Sequence, residues 1–411
     1  MQPFDVIALL VTLTALFSYI NHRHIRLHPT VGVMLIALLF SLALMILGKF
    51  GLGVRHMAAG ILDHVEFGDV LLRWMLGFLL FAGAMGVDLG ELSRRAGITA
   101  ALAVLGTVAS MFLIGAAAWV LFAALGLRTS MLNCLLLGAL ISPTDPIAVL
   151  ALVRRTGAGK TLETIIAGES LFNDGVGVVL FFSLLQIAQH SGAVTAGSVV
   201  RMFVQQVFGG CGLGLLTGLI AYRLLTQIKD FSVSVLLTLS LVMGTYSLAD
   251  ALDVSGPLAV VVAGLLIGNR GRLLTMPSDT TADLTKFWDL LDEILNAVLF
   301  VLIGLQLLAM PYSMRYAIAA IAVIPVVLAA RWLSVDGTLR LFGWPRGQGM
   351  AMQRILTWGG LRGGLAIAMA LSLPPGAARN QIVAITYGVV AFSILVQGTT
   401  IRKLVQKTLP V

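Results

Sequence analysis

Apolar runs of about 18 or more residues, each long enough to cross a bilayer as a helix, recur from Phe4 to Thr400. Backbone in lipid must satisfy its own polar groups, which leaves helices or closed barrels. The runs are continuous rather than alternating, so the chain reads as an all-α polytopic membrane protein. Only 11% of its residues are charged, against about 25% in soluble proteins, so no separate soluble domain is expected. Spans fall at about 4–20, 30–48, 69–88, 97–125, 131–153, 162–188, 197–225, 232–250, 255–269, 287–309, 313–335, 351–373 and 380–402.

Loop charge gives an orientation. Alternate connections hold most of the Lys and Arg, including Arg23, Arg26, Arg94, Arg95, Arg154 and Arg155. The intervening connections hold only Lys49, Arg55, Arg128, Arg315 and Arg379. The positive-inside bias puts the first set in the cytoplasm, with the N-terminus outside and the C-terminus cytoplasmic. The same bias accounts for the net charge of +8. No basic stripe with interleaved aromatics appears, so nucleic acid is not an expected partner. The first apolar stretch has no basic residue before it, unlike a signal peptide, and reads as a retained span. Cys134 and Cys211 both fall in spans and imply no disulfide framework.

Two spans carry chemistry that lipid penalises. The span over 162–188 contains Gly168-Glu169-Ser170-Leu171-Phe172-Asn173-Asp174-Gly175. An ionisable residue at membrane depth costs about 2.5–3.5 kcal/mol on insertion scales and usually marks an ion path or a proton relay. Helical neighbours lie four residues apart. Ser170 and Asp174 therefore share one face, and Glu169 and Asn173 the adjacent one. A hydroxyl and a carboxylate one turn apart suit a small hard cation, and Asn173 can hold Glu169 in place. The preceding span is broken by Ser142-Pro143-Thr144-Asp145-Pro146. Proline lacks an N–H and clashes with the turn before it, so carbonyls such as that of Thr144 are freed for a cation or water. Asp145 adds charge at the break, or caps the half-helix that follows.

A second interruption, Gly359-Gly360-Leu361-Arg362-Gly363-Gly364, falls in the span over 351–373. Interrupted segments at corresponding positions of two halves point to a transporter site. If spans one to six and eight to thirteen form two repeats, these breaks correspond. An interior guanidinium needs a carboxylate, and Glu169 is the expected partner of Arg362. Arg331 is the substitute, or it snorkels to the cytoplasmic interface. Asp289, Asp292 and Glu293 read as a solvated helix end, and His22, His24 and His28 as a hydrated loop.

These motifs resemble the NhaP/NHE branch of the monovalent cation:proton antiporters, in its prokaryotic form. Leu252-Asp253-Val254-Ser255-Gly256-Pro257 and Leu295-Asn296-Ala297-Val298 extend the resemblance. It implies an NhaA-like antiporter fold of about 13 helices, with an inverted repeat and broken crossing helices, in a homodimer of an inner, or cell, membrane. Core helices would span about 69–188 and 287–402, and dimerisation helices about 1–48 and 197–269. By motif match, Asp174 exchanges cation and proton, with Asp145, Ser170 and Thr144 completing the Na⁺ site. Glu169, Asn173, Arg362 and Arg331 would support it. The Asn-Asp pair implies electroneutral exchange of one Na⁺ (or Li⁺ or K⁺) for one proton, without a cofactor. A K⁺-selective antiporter and a transporter of another solute are the alternatives. An intramembrane aspartyl protease would need motifs that the chain does not contain.

Overall fold

The computed structural model describes residues 3–27, 29–49, 75–146, 149–150, 153, 160–189, 196–228, 230–269, 278–308, 313–344 and 346–408. Helices dominate them. In chain order they are α1 (Pro3–Ile20), α2 (Pro29–Lys49), α3 (Leu76–Met85), α4 (Leu89–Arg94) and α5 (Ala96–Ala124). Then come α6 (Met131–Ile141), α7 (Lys160–Gln189), α8 (Ala196–Thr226), α9 (Phe231–Ala251) and α10 (Gly256–Gly268). The last are α11 (Ser278–Gln306), α12 (Met314–Leu341), α13 (Arg346–Gly359), α14 (Gly364–Leu371) and α15 (Ala377–Thr408). Among the described residues, 7 helices are long and apolar enough to cross a membrane. The expected span over 69–88 lies partly outside the described residues.

Helix starts follow local chemistry. Ser130 accepts from the Asn133 amide ahead of α6, and Asp230 from the Val233 amide ahead of α9. Ser255 caps α10, whose first turn holds Pro257. Each cap satisfies an amide that has no partner inside the helix.

Helix–helix contact relies on small residues, which let backbones approach where no hydrophobic drive separates protein from lipid. Gly214 of α8 lies so close to α10 that a Cβ there would strike the Ala259 carbonyl. Gly264 of α10 meets α3 in the same way: a Cβ there would lie 2.8 Å from the Phe81 carbonyl oxygen. Large apolar side chains on α1 and α8, among them Phe4, Ile7, Phe208 and Leu216, are exposed, as lipid-facing residues are.

Packing separates two bodies. In one, α8 packs on α10 and α9, α10 on α3, and α11 on α2, α3 and α1. In the other, α5 packs on α6 and α12, α12 on α15 and α13, and α14 on α15 and α6. Helix α7 joins them, touching α5 and α6 on one side and α8 and α10 on the other. Helix α3 packs chiefly on α10 and α11, and α11 chiefly on α2. Helix α11 also begins at Ser278 rather than near residue 287. Its first turns are polar, with Lys286 pairing Asp283 at 3.0 Å. Hydropathy therefore registers only the second half of the helix.

Candidate cation and proton site

The two interruptions meet. Helix α6 ends at Ile141 and α13 at Gly359, and the extended segments that follow cross beside α7. At the crossing the Asp145 amide donates to the Leu361 carbonyl at 2.8 Å. The breaks marked by the prolines and by the glycines thus lie against each other. Irregular backbone at this depth is tolerated because it is buried in protein and lines a cavity.

The crossing is fastened to α7 through Asn173. Its Oδ1 accepts the Thr144 amide at 3.2 Å, and its Nδ2 donates to Thr144 Oγ1 at 2.8 Å. The same Nδ2 lies 3.2 Å from Glu169 Oε1, one helical turn back, as the spacing anticipated. Thr144 Oγ1 also lies 3.2 Å from Ser170 Oγ. Thr144, Glu169 and Asn173 are each at most 1% exposed. Buried polar groups of this kind persist because they are hydrogen-bonded.

Arg331, the expected substitute, takes the partner expected of Arg362. Glu169 is held by Arg331, with Nη1 on Oε1 at 2.6 Å and Nη2 on Oε2 at 2.8 Å. Arg331 is buried, and its Nε donates to the Leu356 carbonyl; it does not snorkel. Arg362 instead turns its Nη1 to the Ser142 and Pro143 carbonyls, at 2.5 and 2.8 Å. Those carbonyls end α6, where the helix dipole is negative and a cation is favoured. The proline break creates the acceptors that take Arg362 away from Glu169. The Arg362 amide donates to Ser393 Oγ at 2.8 Å.

Asp174 and Asp145 are half-buried, and both line one cavity of about 350 Å³. Ser170 lines it too, as does Gly363, where an added Cβ would strike the Asp145 carboxylate. The structure thus divides the eight expected residues. Asp174, Asp145 and Ser170 face the cavity. Thr144, Asn173, Glu169, Arg331 and Arg362 form the buried frame behind them.

The opposite wall was not anticipated. It is built from α3 and from Asp289, Asp292 and Asn296 of α11. Asp289 and Asp292 were expected, with Glu293, at a solvated helix end, but α11 begins earlier and carries the two aspartates along the cavity, while Glu293 is exposed. The spacing of three and four residues from Asp289 to Asp292 to Asn296 places them on one helical face, and that was the available signal.

Comparison with known proteins follows the same lines. The family model "Sodium/hydrogen exchanger, transmembrane" matches residues 11–407. The chain is 45% identical over 408 residues to the Na⁺/H⁺ antiporter NhaP of Pseudomonas aeruginosa, covering 98% of this chain and 96% of that one. It is 32% identical over 346 residues to the Na⁺/H⁺ antiporter NhaH of Halobacillus dabanensis, covering 83% of each. Its fold matches the sodium proton antiporter MjNhaP1 of Methanocaldococcus jannaschii, with a TM-score of 0.78, 19% identity and 100% of both chains covered. On the match over residues 11–407 and the 45% identity across nearly the whole chain, this protein belongs to the sodium/hydrogen exchanger family of transporters.

Proposed function

We propose that this protein exchanges Na⁺ for H⁺ across a membrane by competition at Asp174. The observation that carries this reading is the placement of Asp174, Asp145 and Ser170 on one cavity beside two crossed helix breaks. Relatives across most of the chain are named Na⁺/H⁺ antiporters, which favours Na⁺ over K⁺.

The Asp174 carboxylate takes either a proton or a dehydrated Na⁺. With Na⁺ bound, Asp145 and Ser170 Oγ supply further hard oxygen ligands, and the Thr144 segment completes the set. An ionised, empty site is too costly to carry past an apolar barrier. The protein therefore changes access only when Asp174 is neutralised by one ion or the other. One site alternating between two accessible states is sufficient for exchange.

The frame keeps its charge fixed through the cycle. Glu169 is neutralised by Arg331, and Asn173 adds no ionisable group. One carboxylate then changes partner per cycle, which makes exchange electroneutral. The moving body in this reading is α5–α7 with α12–α15, and the remaining helices form the scaffold. The N-terminus lies outside and the C-terminus in the cytoplasm, in an inner membrane. Two copies pair through the scaffold; purification as a strict monomer from native lipid would count against pairing.

Proteoliposomes with an imposed pH gradient test the site. Added NaCl should dissipate the gradient in wild type, choline chloride should not, and Asp174→Asn should be silent. Clamping the membrane potential should leave the wild-type rate unchanged. Full exchange by folded Asp174→Asn would remove Asp174 from the mechanism.

A further inference from the structure

A second cavity, of about 1110 Å³, adjoins the Asp174 cavity along α11. It runs between α11 and α1, to the π-helical turn Asn21–Ile25 and Arg26. Asn21 fastens this turn, its Oδ1 taking the Leu27 amide and its Nδ2 giving to the Leu27 carbonyl, at 3.3 and 3.1 Å. His22, Arg23 and Arg26, all exposed, are among its lining residues. Among the described residues, two are common to the linings of both cavities: Asp292 and Asn296. Asn296 is buried and hydrogen-bonds the Asp292 side chain.

Asp292 therefore stands in the partition between a wide space that reaches a loop and the narrow space that holds Asp174. It belongs to α11, which packs on the scaffold helices α1, α2 and α3. Asp174 and Asp145 belong to the other wall. A cation crossing the partition leaves bulk hydration before it reaches the Asp174 site. A carboxylate at that point replaces lost water oxygens with a charged one. The basic lining makes this charge more necessary, because Arg23 and Arg26 repel a cation that Glu293 and Asp292 attract.

We infer that Asp292, positioned by Asn296, is a transit ligand for Na⁺ between the cavity beside Asn21–Arg26 and the exchange site at Asp174. This role rests on the exchange reading above. It assigns Asp292 to capture of the cation, not to the exchange itself. Asp292 then governs the Na⁺ concentration at which transport half-saturates, and leaves the maximal rate to Asp174.

The test is initial exchange rate against Na⁺ concentration in proteoliposomes, for wild type, Asp292→Asn, Asp292→Glu and Asp174→Asn. Asp292→Asn should raise the Na⁺ KM several-fold and hold the saturated rate, a pattern expected when only ground-state capture is lost. Asp292→Glu should restore a KM close to wild type. An unchanged KM in Asp292→Asn, at whatever maximal rate, overturns the inference. If Asp292→Asn is inactive at every Na⁺ concentration, Asp292→Glu decides. Transport by Asp292→Glu with a KM close to wild type supports the inference, and a Glu variant as inactive as Asp292→Asn overturns it. Asp174→Asn separates the two readings. Transport by that variant defeats the role of Asp174 and leaves the Na⁺ dependence of Asp292→Asn still interpretable.

Discussion

Arg331 grips both oxygens of Glu169 across 162 residues of chain, at 2.6 and 2.8 Å, with neither side chain more than 3% exposed. This buried pair ties α12 to α7 directly behind the Asp145 crossing. Removing one member leaves a charge buried without a partner, which typically costs about 3–5 kcal/mol. Arg331→Met and Glu169→Gln should each lower the unfolding midpoint in detergent. The double variant should be less impaired than the sum of the singles. Strict additivity would show that the pair contributes no coupling.

Asn173→Asp should destabilise the frame most at high pH. Asn173 donates to Glu169 and to Thr144 Oγ1. An ionised aspartate has no donor and faces the Glu169 carboxylate with like charge. Protonation returns one O–H donor, so the loss should shrink as pH falls. Unfolding midpoints of wild type and variant, compared from alkaline to acid pH, check the sign.

Gly363→Ala should weaken Na⁺ binding with little loss of fold. The Gly363 backbone has φ −105° and ψ −163°, which alanine can adopt. Its Cβ would lie 2.5 Å from Asp145 Oδ2 and 2.9 Å from Asp145 Cβ. The carboxylate must therefore move. The expected result is a raised Na⁺ KM and an unfolding midpoint near wild type. A large fall in the midpoint would mean that the strain spreads beyond Asp145.

Arg362→Gln should impair transport more than Gly376→Ala, a change at a loop position where an added Cβ meets open space. Loss of the guanidinium leaves the Ser142 and Pro143 carbonyls without a charged donor at the end of α6. Leaving buried acceptors unsatisfied costs about 1–3 kcal/mol, and it loosens the segment that carries Asp145. Exchange rates normalised to folded protein measure this.

Sequence reasoning reached the parts of the site that depend on local pattern. The four-residue spacing put Ser170 with Asp174 and Glu169 with Asn173, and the structure keeps those faces. Proline at 143 and 146 and glycine around 362 marked the two breaks. Pairing across distant chain was beyond that reach. Which arginine meets Glu169 depends on the Ser142 and Pro143 carbonyls competing for Arg362, and only the crossing reveals that competition. Asp289 and Asp292 were misplaced because hydropathy sees the apolar half of α11 and misses its polar first turns.

The bond between the Asp145 amide and the Leu361 carbonyl has a mechanical consequence. Asp145 cannot swing independently of the second break, and Asn173 holds the same segment to α7. Asp145 and Asp174 therefore ride as a fixed pair, whereas Asp292 sits on the other body. The molecule carries its own ruler: through a transport cycle the first separation should stay constant while the distance to Asp292 lengthens and shortens. Spin labels on α6, α7 and α11 would read both intervals, and a first interval that varied as much as the second would show that the crossing does not act as a rigid joint.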